Sequence, residues 1–318
     1  MLRLIAAVTA LYALTLLIVY IICFYSPLGK QNDEHNLPAG EQYEPQSERM
    51  HAMIDALRAI PYETVEIRSR DGLRLRGKYY PGRGADTAIC FHGYRAAARR
   101  DFSGGARYLI GQGFNVLLVD QRAQGESEGR TITFGIRERF DCLAWAQYAA
   151  GRFGPAARIT LYGISMGAAT VLMASELDLP ENVAGIVADC PYDKPAEIIR
   201  SVCAGMGLPV RLLWPLVAAA ARLYGRFDPG EASASGAVRN ARVPILILHG
   251  EDDRYVPCEM SARIAAANPA LVRRYTFPGA AHGLSFLADP ERYRLILEDF
   301  LRAEKTSEPA GPSERRQG

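Results

Sequence analysis

From residue 65 to residue 302 the chain alternates short apolar, β-branched runs with longer stretches of helical spacing. Consecutive strands joined by crossovers of this length can only pair in parallel, with the connecting helices packed on the faces of the sheet. The expected strands are Val65–Ser69 and Leu73–Tyr80, a hairpin across Asp71-Gly72, then Thr87–Phe91, Phe114–Val119, Ile159–Tyr162, Val183–Ala188, Pro244–Leu248 and Val272–Phe277. Helices are expected near Arg99–Ile110, Ile136–Phe153 and Gly167–Leu177, with a last one from Pro290 to Arg302. That makes eight strands in a mostly parallel sheet with helices on both faces. The interval 191–242 breaks the rhythm: it is apolar, helical in pattern and too long for a connecting loop, so it reads as a small helical lid over the strand ends.

Leu4 to Tyr25 is a run of 22 residues without a charge. As a helix it would be roughly 33 Å long, enough to cross a bilayer. The apolar region of a signal peptide is shorter and ends in small residues, whereas this run closes on Cys23, Phe24, Tyr25, Ser26 and Pro27. Residues 1–30 are therefore expected to be a transmembrane anchor whose membrane contact is residues 4–25. Arg3 before the span and Lys30 after it give a small bias towards an inside amino terminus, which puts the rest of the chain on the outer side. Residues 31–61 are expected to hold a polar linker and a short lead-in helix carrying Met50, Met53, Ile54, Leu57 and Ile60 at helical spacing. The main domain follows over 62–303, and 304–318 reads as a disordered tail. With 37 Lys+Arg against 35 Asp+Glu the charge is nearly balanced, and nothing in it calls for a nucleic-acid partner.

The motif GxSxG occurs twice, as Gly163-Ile164-Ser165-Met166-Gly167 and Gly125-Glu126-Ser127-Glu128-Gly129. Ser165 follows an apolar strand directly and opens a helix of small residues, an arrangement that leaves a hydroxyl exposed on a strained turn. Ser127 lies in a polar loop between two glutamates that would oppose the negative charge of acyl transfer. Ser165 is the expected nucleophile. It needs a base, and among five histidines His282 sits in a flexible loop between the last strand and the last helix. His35 and His51 belong to the linker region, while His92 and His249 each end a strand before Gly. The acid that holds the imidazole comes from the loop after Leu248, where Asp252 and Asp253 both qualify on chemistry alone. Oxyanion donors are expected from the N–H groups of Met166 and Tyr94, the latter after the bend at Gly93. Trp214, Leu212 and Leu213, with Leu216 and Val217 of the lid, and Tyr192 are expected to bind an apolar or acyl substrate.

FHGY at 91–94, DQRAQGES at 120–127, GISMG at 163–167, HGEDDRYVP at 249–257 and AAHG at 280–283 occur together and in order. The chain thereby resembles the serine-nucleophile α/β-hydrolases over about residues 62–303, and most of all their membrane-anchored bacterial members similar to serine aminopeptidase-like and bile-acid-CoA acyltransferase-like branches. The resemblance implies the α/β-hydrolase fold and implies Asp253 as the acid. It departs from the family at Ala123 and Gln124, where many members have Gly and His, a change that bears on the packing of that loop. The expected activity is hydrolysis of a small-molecule carboxylic ester or thioester through an acyl-enzyme. Peptidase or amidase action, acyl transfer, and a non-catalytic membrane-bound scaffold are the alternatives.

No cofactor is required by that chemistry, and no CxxC pair stands at metal-ligand spacing, so no metal is expected. Cys90, Cys142 and Cys190 read as buried small residues, with a Cys190–Cys203 bridge left open. Arg95, Arg99, Arg100 and Arg107 read as a solvated helix face. The segment Leu208–Ala221 has a second reading, as a surface lying on the bilayer.

Overall fold

The computed structural model describes residues 1–27, 33–38 and 40–306. Among the described residues eight strands form one sheet: β1 (Glu63–Arg68), β2 (Arg74–Tyr80), β3 (Asp86–Phe91), β4 (Asn115–Val119), β5 (Arg158–Ile164), β6 (Val183–Asp189), β7 (Ile245–Gly250) and β8 (Val272–Phe277). Their spatial order is β1-β2-β4-β3-β5-β6-β7-β8. The β1–β2 hairpin and the β2–β4 pair are antiparallel, and every pairing from β4 to β8 is parallel. The central strands are covered on both faces, which is why β4 and β7 read as unbroken apolar runs rather than as alternating ones.

Before the sheet come α1 (Leu2–Cys23) and α2 (Ser47–Arg58), and then α3 (Ala98–Asp101) and α4 (Gly105–Gly111) between β3 and β4. The rest are α5 (Glu138–Phe153), α6 (Met166–Ala174), α7 (Pro195–Gly205), α8 (Val210–Ala220), α9 (Ala234–Val238), α10 (Cys258–Ala267), α11 (Ser285–Ala288) and α12 (Pro290–Thr306). One core layer sets Trp145 and Ala146 of α5 and Val171 of α6 against one face of the sheet. The other sets Leu109 of α4, Leu57 of α2 and Tyr293, Leu297 and Phe300 of α12 against the opposite face. The insertion between β6 and β7 is helical, as its pattern predicts, and holds α7, α8, a π-helical turn at Ala221–Gly225 and α9.

The helix expected over Arg99–Ile110 is instead two, α3 and α4. A side chain at Gly104 would fall on Phe286 and Met53, so the chain turns there to let α2 and α11 approach. The tail expected from residue 304 begins inside α12, and beyond Thr306 it lies outside the described residues.

The amino-terminal sixty residues depart most from expectation. Helix α1 is long and apolar enough to cross a membrane, and most of it is exposed. Its second half nevertheless packs on the domain. Tyr224 donates to the Ala13 carbonyl, Tyr20 shares a hydrogen bond with Thr131, and Phe24 is fully buried edge-on to Phe134 and Phe227. The segment read as a solvated linker is docked as well: Tyr43 is buried, and Arg99 donates to Glu34 at 2.7 Å. Of the four arginines assigned to a solvated helix face, only Arg107 behaves so. Arg99 and Arg100 keep 14% and 13% of their side-chain surface under these residues, and Arg95 donates to the carbonyls of Ile22 and Tyr25. Composition made the segment polar, yet Glu34 pairs with Arg99 under it and Tyr43 is buried, while Asp33, Glu41 and Glu44 stay exposed. All six cysteines are free, so Cys190 and Cys203 are not bridged.

Candidate active site

Strand β5 ends in a turn that places Ser165 at φ +55°, in the left-handed region that a side chain rarely adopts. Two close approaches enforce it. A Cβ at Gly163 would lie 2.2 Å from the Gly167 carbonyl oxygen, and one at Gly167 would lie 1.8 Å from the Phe91 carbonyl oxygen. Only glycine permits β3, β5 and α6 to crowd together here, and α6 is buried along its whole length. The Ser165 N–H donates to the Asp189 carbonyl at 2.9 Å, leaving the hydroxyl to face away from the sheet.

The loop between β8 and α11 brings His282 to that hydroxyl, with Nε2 2.9 Å from Ser165 Oγ. Nδ1 lies 2.7 Å from Asp253 Oδ2. The Asp253 side chain is fully enclosed, and its Oδ1 accepts the N–H groups of Tyr255 and Val256 at 2.9 and 2.8 Å. Asp252 is exposed. Burial opposes the Asp253 charge, but His282, His249 and the Val256 N–H favour it, and the carboxyl is held well below the usual carboxylate range. For His282, burial opposes protonation while the Asp253 carboxylate favours it, and the balance lies above the ordinary histidine value. Burial pushes the Cys190 thiol up to about 11, so at neutral pH it carries no charge and Asp253 is the standing anion beside the ring.

Ser127, the other motif serine, donates to the Asp120 carbonyl and accepts the Arg76 N–H at 2.9 Å. Its hydroxyl locks the loop after β4 to strand β2. His92 is similarly structural, since Nδ1 donates to the Gly93 carbonyl and Nε2 accepts the Gln121 N–H. His249 Nε2 donates to the Val256 carbonyl, and His35 pairs with Asp55. At the two altered positions Ala123 takes φ +62° and the Gln124 side chain is buried with neither amide atom hydrogen-bonded among the described residues, while buried Arg122 bridges Asp141 and Asp71.

The loop after β3 passes close to the serine, for a Cβ at Gly93 would lie 3.4 Å from that of Ser165. The Gly93 N–H is held by the Asp101 carboxylate at 2.8 Å. Met166 is the first residue of α6, so its N–H has no acceptor within the helix. Tyr94 and Met166 both border a cavity of about 570 Å³ that reaches Ser165 and His282. Tyr192 borders it too. Trp214, Leu212 and Leu213 do not. Helix α8 turns Val217 and Ala218 inward, which leaves Leu212 74% exposed and stacks Trp214 under the Arg200 guanidinium at 4.1 Å.

Much of the wall comes from residues that no motif marks. Ile22 and Cys23 end α1, Tyr43 lies in the docked segment, and Met50 and Met53 belong to α2. The Tyr43 hydroxyl donates to the His282 carbonyl across 239 positions of sequence. On the floor, Asp189 accepts from the hydroxyls of Ser285 and Tyr293, each at 3.0 Å, and burial pushes its carboxyl up to about 6. The apolar spacing of α2 marks a packed face without saying that it lines a cavity, and a lone tyrosine among polar residues carries no signal.

Among the described residues, Cys190, Asp253 and His282 form a group with metal-capable atoms within 4.8 Å of one another. Both ring nitrogens of His282 are already engaged by Ser165 and Asp253, and the Cys190 thiol keeps its proton, so the donor set suits proton transfer better than metal ligation.

A match to the family described as the alpha/beta hydrolase family covers residues 88–294. The chain belongs to that family. The Bacillus subtilis protein YqkD is 23% identical over 303 residues, covering 93% of this chain and 94% of its own. The Aspergillus aculeatus thiohydrolase aneE is 33% identical over 136 residues, covering 41% and 42%. Among solved structures, the Pyrococcus furiosus esterase Pf2001 superposes with a TM-score of 0.63 at 22% identity over 84% of this chain and 96% of its own, a likeness of fold. Family membership makes the chain a hydrolase-fold enzyme with an eight-stranded, mostly parallel sheet.

Proposed function

We propose that this α/β-hydrolase is a membrane-anchored serine hydrolase that cleaves a carboxylic ester or thioester of an apolar acyl substrate through an acyl-enzyme. The observation that carries the reading is the continuous chain of hydrogen bonds from Ser165 Oγ through His282 to Asp253, at the edge of an apolar cavity. In this reading Ser165 attacks the acyl carbon and passes its proton to His282 Nε2. Asp253 fixes the ring tautomer through Nδ1 and stabilises the imidazolium. The N–H groups of Tyr94 and Met166 receive the oxyanion, a contribution of about 10²- to 10³-fold per donor where such donors have been removed. His282 then returns the proton to the departing alcohol or thiol, and water repeats the sequence to release the acid. Thioesters stand beside esters because the same steps serve both, and because one relative is named a thiohydrolase. Acyl transfer differs only in the acceptor that replaces water.

Helix α1 serves as the anchor in this reading, with the catalytic domain on the outer side and the 191–242 insertion as a lid. Packing of the α1 end against Tyr94, Phe134 and Phe227 supports retention over cleavage as a signal sequence. Labelling of the full chain with a fluorophosphonate probe tests the chemistry. Ser165→Ala should abolish labelling and Ser127→Ala should preserve it; labelling that survives the first change and vanishes with the second would reverse the assignment.

A further inference from the structure

We infer that the insertion between β6 and β7 is immersed in the bilayer beside α1, and that the cavity takes its acyl substrate directly from the lipid phase. This rests on the reading of α1 as an anchor and names the substrate class of the same site, an acyl ester resident in a membrane.

The first observation is one of depth. Tyr224 donates to the Ala13 carbonyl, ten residues before Cys23, so the domain follows α1 for about 15 Å along its axis. Leu16 is buried within this contact, and Tyr20 packs against Tyr224 with ring centroids 5.9 Å apart. The part of α1 before Ala13 would be only about 18 Å long, well short of the roughly 30 Å hydrocarbon core of a bilayer. A helix packed in this way spans only if α8 and the turn after it enter the membrane with it.

The second is the chemistry of the surface that would enter. Val202, Met206, Leu208, Leu212 and Leu223 are large apolar side chains exposed on the insertion, from 37% at Val202 to 74% at Leu212. They continue the exposed apolar face of α1. Arg200, Arg211 and Arg226 are exposed on the same insertion, and long cationic side chains of this kind reach from an immersed helix to lipid phosphates. Continuity with α1 and this charge favour a lipid surface over a second protein chain.

The third is the position of the mouth. Val202, Met206 and Leu208 border the cavity and yet remain exposed, so they form its rim, and Ile22 and Cys23 at the end of α1 border the same cavity. A chain leaving the bilayer at this rim would meet mostly apolar walls on the way to Ser165. Since every CH₂ of an acyl chain is unfavourably exposed on the way through water, an opening in the lipid phase removes the main barrier to loading it.

The test uses the full chain in liposomes of phosphatidylcholine and phosphatidylglycerol carrying bromine on their acyl chains. Leu212→Trp, Leu223→Trp and Leu295→Trp are compared with the unsubstituted protein, whose own two tryptophans set the background. Quenching of the added fluorescence at 212 and 223, and not at the exposed α12 position 295, is the expected result. Absence of quenching at both insertion positions overturns the inference, and crosslinking between copies through the same positions would assign this face to a dimer instead. In a second arm the double variant Leu212→Asp, Leu223→Asp is assayed on water-soluble p-nitrophenyl acetate and on 4-methylumbelliferyl oleate held in vesicles. Turnover of the vesicle substrate should fall by about tenfold or more while the soluble ester is cleaved at the original rate. An equal loss on both substrates, or no loss on either, overturns the inference. A wild-type protein that cleaves neither ester defeats the hydrolase reading, and the quenching arm still decides immersion.

Discussion

The molecule carries the same five-residue motif twice, and the two copies do opposite things with it. At 163–167 the flanking glycines let three backbones crowd together, the serine is held at positive φ, and its hydroxyl faces an imidazole. At 125–129 the glycines serve a loop. A Cβ at Gly125 would strike the Asp120 carboxylate, and the Ser127 hydroxyl is engaged by backbone on both sides. What separates them is their position relative to the sheet: one abuts the end of a central strand, the other follows an irregular stretch after β4. A motif specifies a backbone bend, and its surroundings decide whether the bend presents a reactive group or braces a turn.

The sharpest way to break this contrast is to remove each hydroxyl. Ser165→Ala should lower kcat/KM on a p-nitrophenyl ester by about 10⁴-fold or more, as loss of a nucleophile does in triad enzymes. The next largest effect falls on the acid. Asp253→Asn should cost about 10³- to 10⁴-fold by allowing the wrong tautomer of His282, whereas Asp252→Asn at the exposed neighbour should leave the rate within about twofold. A greater loss at 252 would overturn the assignment of Asp253. Smaller again is the effect of pH. Because the folded site raises the affinity of His282 for its proton, kcat/KM should climb with pH and reach its plateau only above the ordinary histidine range. The same shift makes His282 a stabilising group below its unfolded value, a contribution lost as pH rises through the folded one. An acid limb at or below the ordinary value would show that the ring is not coupled to Asp253. The smallest effect belongs to Ser127→Ala, which should leave the rate unchanged and lower stability by about 1–3 kcal/mol, read by denaturant unfolding, because the Arg76 N–H loses its acceptor.

The strands were legible because β-branched apolar runs of buried parallel strands have few alternatives, and Ser165 and His282 stood out because one directly follows a strand and the other lies in the loop after the last one, whereas only the family resemblance separated Asp253 from Asp252. Contacts made at long range left no such trace. Leu212, Leu213 and Trp214 looked like a pocket wall, since the apolar pattern of α8 does not say which partner each side meets. Tyr43 looked like linker, since polar composition describes a solvated segment and a docked one alike, and the end of α1 looked like membrane contact alone, since an apolar run does not say which of its sides meets protein.

By itself the sequence determined the eight strands, the serine turn and the apolar amino-terminal helix, because each depends on neighbours within a few residues: steric room at Gly163 and Gly167, periodicity, and the absence of charge. Tertiary structure alone decided that the tether closes the cavity, that Ser127 braces a loop, and that α8 sides with α1. Those outcomes depend on which surfaces meet across more than a hundred residues, and burial of apolar area has no direction until the whole chain has folded.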